Sequence, residues 1–136
     1  MKESTKDIYA AVIVRDLMFA SRIREAAKRS GIRLEFVKSG DGFAGKLASH
    51  PPAFFIVDLG TKGLDPFAVI SEIRETSALS GTRVIGFLPH VETDLRKKAA
   101  EAGYDLVAAR SWMAMNVEKI FADVAAGKPF PVKSGQ

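Results

Sequence analysis

Along the chain, five apolar runs with strand character alternate with segments in which apolar residues recur at helical spacing. The first run, at residues 8–14, is rich in β-branched and aliphatic side chains, as expected of a strand buried on both faces. Further runs follow at residues 33–37, 53–57, 83–88 and 104–109. Because residues 33–37 alternate charged and apolar side chains, we expect that strand to lie at an edge of the sheet.

The segments between the runs carry signals for helix starts and ends. Asp65 followed by Pro66 predicts the start of the third helix, since Asp caps helix N-termini and Pro suits the first helical position. Gly31 and Gly103 predict the ends of the first and fourth helices, because glycine readily adopts the left-handed conformation of a C-terminal cap. The last helix has an apolar stripe, formed by Met113, Val117, Ile120, Phe121 and Val124.

This alternation of strands and helices predicts one α/β domain. Right-handed crossovers between parallel strands place helices on both faces, so we expect a flavodoxin-like, doubly wound, five-stranded parallel sheet. The domain is expected to span residues 7–127. Residues 1–6 and 128–136 are polar or interrupted by proline and glycine, and we expect them to be flexible tails.

Composition narrows the classes of function. The chain is 47% hydrophobic and 26% charged, a balance typical of globular domains. It has no cysteine, which excludes disulfides, zinc–thiolate sites and cysteine nucleophiles and suits a cytoplasmic location. The apolar run at residues 8–14 is too short to span a membrane. The formal net charge is +4, but the basic residues are scattered among acids without a nucleic-acid motif, so we do not expect nucleic-acid binding.

Candidate functional residues follow the apolar runs, because the carboxyl ends of parallel strands meet at one edge of the sheet. They are Arg15, Asp16, Asp58, Leu88, His90 and Arg110. This order resembles the receiver domains of bacterial two-component signalling, over about residues 8–126. The resemblance depends on the spacing of the units, on Asp58 at the end of the third run, and on Ala102 and Gly103 shortly before a basic strand end.

In the receivers that the chain resembles, an acidic pair after the first strand binds Mg²⁺ together with a phosphoacceptor aspartate after the third. A hydroxyl after the fourth strand and a lysine after the fifth contact the acyl phosphate. The resemblance implies Asp58 as the candidate phosphoacceptor and Asp16 as the second acid of the pair. Arg15 takes the first acidic position, Leu88 the hydroxyl position and Arg110 the lysine position, so much of the usual chemistry is missing.

These replacements weaken the expected metal and phosphate chemistry. Asp16 and Asp58 could together hold Mg²⁺ weakly, but Arg15 adds a competing cation beside them. Arg15 and Arg110 are both candidate ion-pair partners for the aspartates. Leu88 cannot donate a hydrogen bond to a phosphoryl oxygen. Asp16 has an equal alternative as the N-cap of the first helix, and we expect no other cofactor.

No residue pattern predicts catalysis. His90 follows the fourth strand without a second histidine, cysteine or carboxylate at ligand spacing, so we interpret it as a loop residue at the edge of the site. The loop at residues 60–63 lacks the spacing of a phosphate-binding P-loop, and no hydrolase, metalloprotease or dinucleotide motif occurs. We therefore expect that the protein is not an enzyme.

A candidate interaction surface lies on the fourth helix, fifth strand and fifth helix. Trp112 and Met113 begin the last helix, and each fits either core packing or a contact with a partner. The charged residues expected beside them are Arg96, Lys97, Lys98 and Asp105. In receivers this face commonly binds other proteins, so the resemblance implies a protein partner or a homodimer there.

Three functions stay open at this point. The first is a stand-alone, atypical receiver that acts through protein–protein contacts in a signalling pathway without standard phosphorylation of Asp58. The second is a receiver that is weakly phosphorylated at Asp58 in an Mg²⁺-dependent reaction. The third is a flavodoxin-like domain that binds an anion or a nucleotide over Asp58, His90 and Arg110. The residues at positions 15 and 88 favour the first function.

Overall fold

The computed structural model describes residues 8–40, 42–89 and 93–128. Strands and helices alternate through these residues. The strands are β1 (Tyr9–Ile13), β2 (Arg33–Phe36), β3 (Phe54–Asp58), β4 (Arg83–Leu88) and β5 (Leu106–Ala109). The helices are α1 (Leu17–Ser30), α2 (Phe43–Leu47), α3 (Pro66–Glu75), α4 (Thr93–Ala102) and α5 (Arg110–Ala125), with a 3₁₀ turn at Ser77–Leu79.

All five strands form one parallel sheet in the order β2-β1-β3-β4-β5. This confirms the predicted doubly wound, flavodoxin-like fold. β2 lies at the edge, as its alternating pattern predicted, and its residues are largely exposed. β1 and β3 are central, and every residue of both strands is buried. The strand order reverses between β1 and β3, so a ligand-binding crevice is expected at their carboxyl ends.

Each face of the sheet packs against its own group of helices. On one face, α1 and α5 cover side chains that include Val12, Phe54 and Ile85. On the other face, α2, α3 and α4 cover side chains that include Phe55 and Val57. Because both faces are covered, the central strands need apolar residues at successive positions, which explains the continuous apolar runs of the sequence.

Helix ends follow the local signals in the sequence. The Asp65 carboxylate accepts hydrogen bonds from two backbone amides in the first turn of α3. Gly31 ends α1 with a φ of 77°, in the left-handed region that favours glycine. The start of β5 differs most from the prediction, whereas β1 and β3 each begin one residue later than predicted. β5 begins at Leu106 because Tyr104 lies in the turn after α4, where its hydroxyl donates to the carbonyl of Pro66.

His90 and the predicted N-terminal tail lie outside the described residues, so the statements about them stay predictions. Of the predicted C-terminal tail, the structure describes Lys128, whose amide donates to the carbonyl of Asp123. Within the described residues, no helix is long and apolar enough to cross a membrane.

Candidate functional site

The carboxyl ends of β1, β3 and β5 bring four of the predicted residues to one cleft. Arg15 and Asp16 follow β1, Asp58 ends β3, and Arg110 begins α5 directly after β5. The cleft has a volume of about 570 Å³. The β3–α3 loop completes its lining with Gly60, Thr61 and Lys62. We call this space the Asp58 cleft.

The guanidinium of Arg110 contacts both aspartates of the cleft. Its Nη1 donates a hydrogen bond to Oδ2 of Asp16, and its Nη2 lies 3.6 Å from Oδ2 of Asp58. The central carbon of the guanidinium lies 5.6 Å from the ring centre of Phe19 and 5.9 Å from that of Phe87. These two aromatic rings stabilise the cation by cation–π contact and help to fix its position.

Asp16 uses both of its carboxylate oxygens. Oδ1 accepts hydrogen bonds from the amides of Met18 and Phe19, at 2.9 and 3.3 Å, which makes Asp16 the N-cap of α1. Oδ2 accepts the hydrogen bond from Arg110. The bond from Arg110, together with the amide of Phe19, holds the pKa of Asp16 below its ordinary value. The N-cap interpretation of Asp16 is therefore confirmed.

Asp58 is only 4% exposed at the end of β3. Its Oδ1 accepts a hydrogen bond of 2.9 Å from the amide of Gly60. Burial raises the pKa of Asp58, because removal from water disfavours the charged carboxylate. The Gly60 amide and the Arg110 charge oppose this shift without cancelling it. Asp58 is thus a buried acid held by one backbone bond and one longer ion pair.

Arg15 does not pair with Asp58, which corrects one of the sequence-based interpretations. Its side chain is exposed, and it forms no ion pair with any residue that the structure describes. Arg110 reaches the aspartates from α5 instead. Arg15 lines the Asp58 cleft and also a neighbouring cleft on the β2 side, where Lys38 lies.

Leu88 ends β4 and is 6% exposed in the core cluster covered by α2, α3 and α4. Leu88 is not among the described lining residues of the Asp58 cleft, and its side chain has no hydrogen-bond donor. Among the described lining residues of the Asp58 cleft, the hydroxyl comes from Thr61. Sequence reasoning missed Phe19 and Phe87 beneath Arg110, because each fits an apolar pattern and only their convergence in space shows a second role.

The carboxylates of the Asp58 cleft leave few free oxygens for Mg²⁺, which prefers near-octahedral coordination by oxygen. The described residues contain no group of three or more His, Cys, Asp or Glu side chains that could hold a metal ion. Both oxygens of Asp16 already accept hydrogen bonds, and Oδ1 of Asp58 accepts one from Gly60. The remaining oxygen of Asp58 faces the guanidinium of Arg110.

The predicted interaction surface is assembled in part. Arg96, Lys97 and Asp105 line a groove of about 400 Å³ between α4 and β5, which we call the α4–β5 groove. Tyr104 contributes to the same lining. Lys98 does not line the groove, because helical rotation carries it to a different side of α4.

Three of the predicted interface residues make contacts inside the fold. Met113 is 0% exposed, so the structure corrects its assignment to an interface: at helical spacing with Val117, it packs into the core. Trp112 is half-buried and packs against the same cluster. Oδ2 of Asp105 lies 3.0 Å from Arg74 and accepts a backbone amide of β4 at 2.7 Å. Asp105 therefore connects Arg74 and β4 to the segment just before β5, and it also lines the groove.

No family model and no curated protein matches the chain. Solved structures do match. A response regulator from Hahella chejuensis aligns with a TM-score of 0.74 and 23% identity, over 85% of this chain and 93% of its own. A response regulator receiver domain from Rhodospirillum rubrum aligns with a TM-score of 0.74 and 12% identity, over 94% of this chain and 100% of its own. The Mn²⁺-bound form of the response regulator Rcp1 aligns with a TM-score of 0.69 and 17% identity, over 92% of this chain and 99% of its own.

These matches confirm the fold that the resemblance implied. The chain has the five-stranded, all-parallel fold of response regulator receiver domains, and it spans almost the whole length of the matching chains. At these identities the likeness concerns the fold, and the function has to be argued from the site.

Proposed function

We propose that this chain is an atypical receiver-like signalling domain that acts through a protein partner, without phosphorylation of Asp58 and without catalysis of its own. The observation that carries the proposal is the contact of the Arg110 guanidinium with both Asp16 and Asp58. In the receivers that the chain resembles, a divalent cation bridges the corresponding carboxylates. Here a tethered side-chain cation serves both carboxylates.

The charge around Asp58 supports this proposal. Arg15, Lys62 and Arg110 line the cleft together with the two aspartates, so the lining already carries more positive than negative charge. A divalent cation entering this cleft would meet repulsion from three side-chain cations. It would also have to displace Arg110 from Asp58 or from Asp16. Mg²⁺-dependent phosphoryl transfer to Asp58 is disfavoured for both reasons.

Leu88 cannot form the hydrogen bond that would connect a phosphoryl group on Asp58 to the end of β4. The side chain has no hydrogen-bonding group, and its burial places it in the core. A phosphoryl group at Asp58 would therefore find no donor from the Leu88 side chain at the end of β4. We infer that the α4 side of the molecule keeps one arrangement whether or not Asp58 is modified.

The α4–β5 groove is the surface that we propose for the partner. Its lining combines cations with the acids Glu101 and Asp105 and with the apolar side chains of Leu106 and Val107. A mixture of charged rim and apolar floor is typical of protein–protein contacts. The groove thus suits a protein surface better than a uniformly charged ligand such as a nucleic acid.

The proposal is tested by incubating the protein with acetyl phosphate and Mg²⁺ and measuring its intact mass. We expect no mass increase by a phosphoryl group. The matched variant carries Arg15→Asp, Leu88→Thr and Arg110→Lys, which restores the residue types that the resemblance implies. We expect this variant to gain the phosphoryl adduct, and we expect Asp58→Asn to abolish the adduct in it.

A phosphoryl adduct on the unaltered chain would overturn the proposal if Asp58→Asn abolished it. The protein would then be a receiver that is weakly phosphorylated at Asp58. Arg110→Lys alone shows how much of the block comes from the guanidinium, because Arg15 and Leu88 remain in place in that variant.

A further inference from the structure

A second cleft adjoins the Asp58 cleft on the β2 side, with a volume of about 230 Å³. It lies between the carboxyl ends of β1 and β2 and the β3–α3 loop. Its described lining consists of Ile13, Arg15, Val37, Lys38, Ser39, Thr61, Lys62, Gly63 and Leu64. We call it the basic cleft. It goes beyond the proposed function, which concerns Asp58 and the α4–β5 groove.

The described lining of the basic cleft holds three cations and no carboxylate. The cations are Arg15, Lys38 and Lys62, and each comes from a different segment of the chain. None of the three forms an ion pair with a residue that the structure describes, and the side chains of all three are exposed. The three cations repel one another because none is held in an ion pair, and an anion bound among them would relieve that repulsion.

Neutral hydrogen-bond donors accompany the cations. The Oγ1 atom of Thr61 is shielded from solvent and has no hydrogen-bond partner within the described structure. The backbone amides of Lys62 and Gly63 donate to no acceptor among the described residues. Gly63 has a φ of 83°, so the loop reverses direction at this point in a conformation that favours glycine. Hydroxyls and free loop amides are the groups that bind phosphate oxygens in proteins.

The base of the basic cleft is apolar. Ile13 is 3% exposed, and Val37 and Leu64 are half-buried against the same core cluster. Such a floor beside a cationic wall suits a ligand with a charged end and a carbon skeleton. The small volume favours one phosphate group with a short skeleton over a polyphosphate chain.

We propose that the basic cleft binds the phosphate monoester of a small organic molecule. The phosphate dianion lies against Arg15, Lys38 and Lys62, with the arginine fork and the two ammonium groups supplying charge-assisted hydrogen bonds. The loop amides of Lys62 and Gly63 supply neutral hydrogen bonds. The carbon skeleton lies over Ile13.

The sequence did not show this site because no local motif encodes it. The loop at residues 60–63 has glycine and lysine, but it lacks the spacing of the P-loop motif. The basic cleft forms only because Arg15 after β1 and Lys38 after β2 come beside the loop in the folded sheet.

The test is a titration of the full ¹⁵N-labelled chain with ribose 5-phosphate, followed by two-dimensional NMR at constant ionic strength. Ribose is the uncharged control and inorganic phosphate the probe for the anion alone. We expect saturable shifts of the amides at residues 38, 39 and 61–63 with ribose 5-phosphate, weaker binding of inorganic phosphate, and no shifts with ribose. Loss of one charge-assisted contact in Lys38→Gln or Lys62→Gln should weaken binding about tenfold.

Lys28→Gln is the matched control, because it removes the same charge from α1 far from the cleft lining. It should leave the affinity unchanged. The proposal is wrong if no shift saturates below about 10 mM ligand, if Lys28→Gln weakens binding as much as Lys38→Gln, or if the shifts centre on Gly60 and Arg110 of the Asp58 cleft. Lys38 lies outside the Asp58 cleft, so this result is independent of the mass measurement with acetyl phosphate.

Discussion

Arg110 is the residue that sets the character of the Asp58 cleft. Its planar fork presents several N–H groups in fixed geometry, so one side chain can serve two carboxylates. Asp16 receives the direct hydrogen bond, whereas Asp58 lies 3.6 Å away and is more deeply buried. The pKa of Asp16 is therefore lowered, while that of Asp58 is raised. The contributions of the two acids to stability therefore change with pH in opposite directions.

Replacement of Asp58 by asparagine should stabilise the protein at neutral pH. Because the folded-state pKa of Asp58 is raised, the folded state binds its proton more tightly than the unfolded chain does. Its stabilising contribution is complete below the unfolded pKa and is lost as the pH rises through the folded pKa. Asp58→Asn keeps an acceptor for the Gly60 amide and removes the buried charge.

Thermal unfolding across pH should show a higher Tm for the Asp58→Asn variant at neutral pH and a difference that vanishes in acid. A lower Tm at neutral pH would show that pairing with Arg110 outweighs burial.

Replacement of Asp16 by asparagine should have the opposite effect. Asparagine is also a good N-cap, so α1 keeps its cap and loses only the charge that pairs with Arg110. Because the folded-state pKa of Asp16 is lowered, its contribution is present above the unfolded pKa and is lost as pH falls through the folded pKa. Asp16→Asn should therefore lower the Tm at neutral pH, with a difference that shrinks in acid. An unchanged Tm at neutral pH would contradict this assignment.

At the scale of elements, Arg74 joins α3 to the amino-terminal ends of β4 and β5. Its guanidinium donates to the carbonyls of Ser80, Thr82 and Gly103 at 2.9, 2.6 and 2.6 Å, and to Asp105 at 3.0 Å. No short sequence pattern marks this residue, because its acceptors lie in the two loops that precede these strands. One side chain thus satisfies several carbonyls that end helices or precede strands.

Arg74→Ala should lower the free energy of unfolding by about 2–4 kcal/mol, because it leaves several part-buried acceptors and Asp105 without their donor. Urea unfolding measures this loss. Arg22→Ala on the exposed side of α1 is the control and should change the free energy by less than about 0.5 kcal/mol. Equal effects of the two substitutions would contradict the role of Arg74.

Gly86 allows Leu59, in the β3–α3 loop, to pack closely on β4. A Cβ atom at this position would lie 2.8 Å from Cδ1 of Leu59, which is too close for ordinary contact. Gly86→Ala should therefore destabilise the fold by about 1–3 kcal/mol through overpacking. In the double variant with Leu59→Ala, the total loss should be smaller than the sum of the single losses, as measured by a double-mutant cycle. Strict additivity would contradict the proposed contact.

At the scale of the whole molecule, one sheet connects two apolar clusters. Phe54 faces the cluster under α1 and α5, and its neighbour Phe55 faces the cluster under α2, α3 and α4. Both clusters include side chains of the same strands. Loss of packing on one face therefore also weakens the strands on which the other cluster packs. The Asp58 cleft, the basic cleft and the α4–β5 groove all depend on this shared sheet.

We therefore expect a single cooperative unfolding transition. Trp112 is the single tryptophan and packs against the cluster under α1 and α5, whereas far-UV circular dichroism reports the helices on both faces. Urea curves from tryptophan fluorescence and from circular dichroism should coincide. A fluorescence transition at a clearly different urea concentration would show that the two faces unfold separately.

The sequence by itself determined the order of the elements, the parallel sheet, the edge position of β2 and the helix ends at Gly31 and Asp65. These features depend on periodicity and on backbone preferences within a few residues, so they can be recognised without tertiary contacts. The residues at the strand ends also identified four residues that line the Asp58 cleft, including Asp58 and Arg110, because parallel strands bring their carboxyl ends together.

Only the tertiary structure decided which side chains meet. It placed Arg110, and not Arg15, against Asp58, and it buried Met113 in the core. It also brought Arg15, Lys38 and Lys62 to one basic cleft. These outcomes depend on the directions of long side chains from segments far apart in the chain, and no local pattern contains that information.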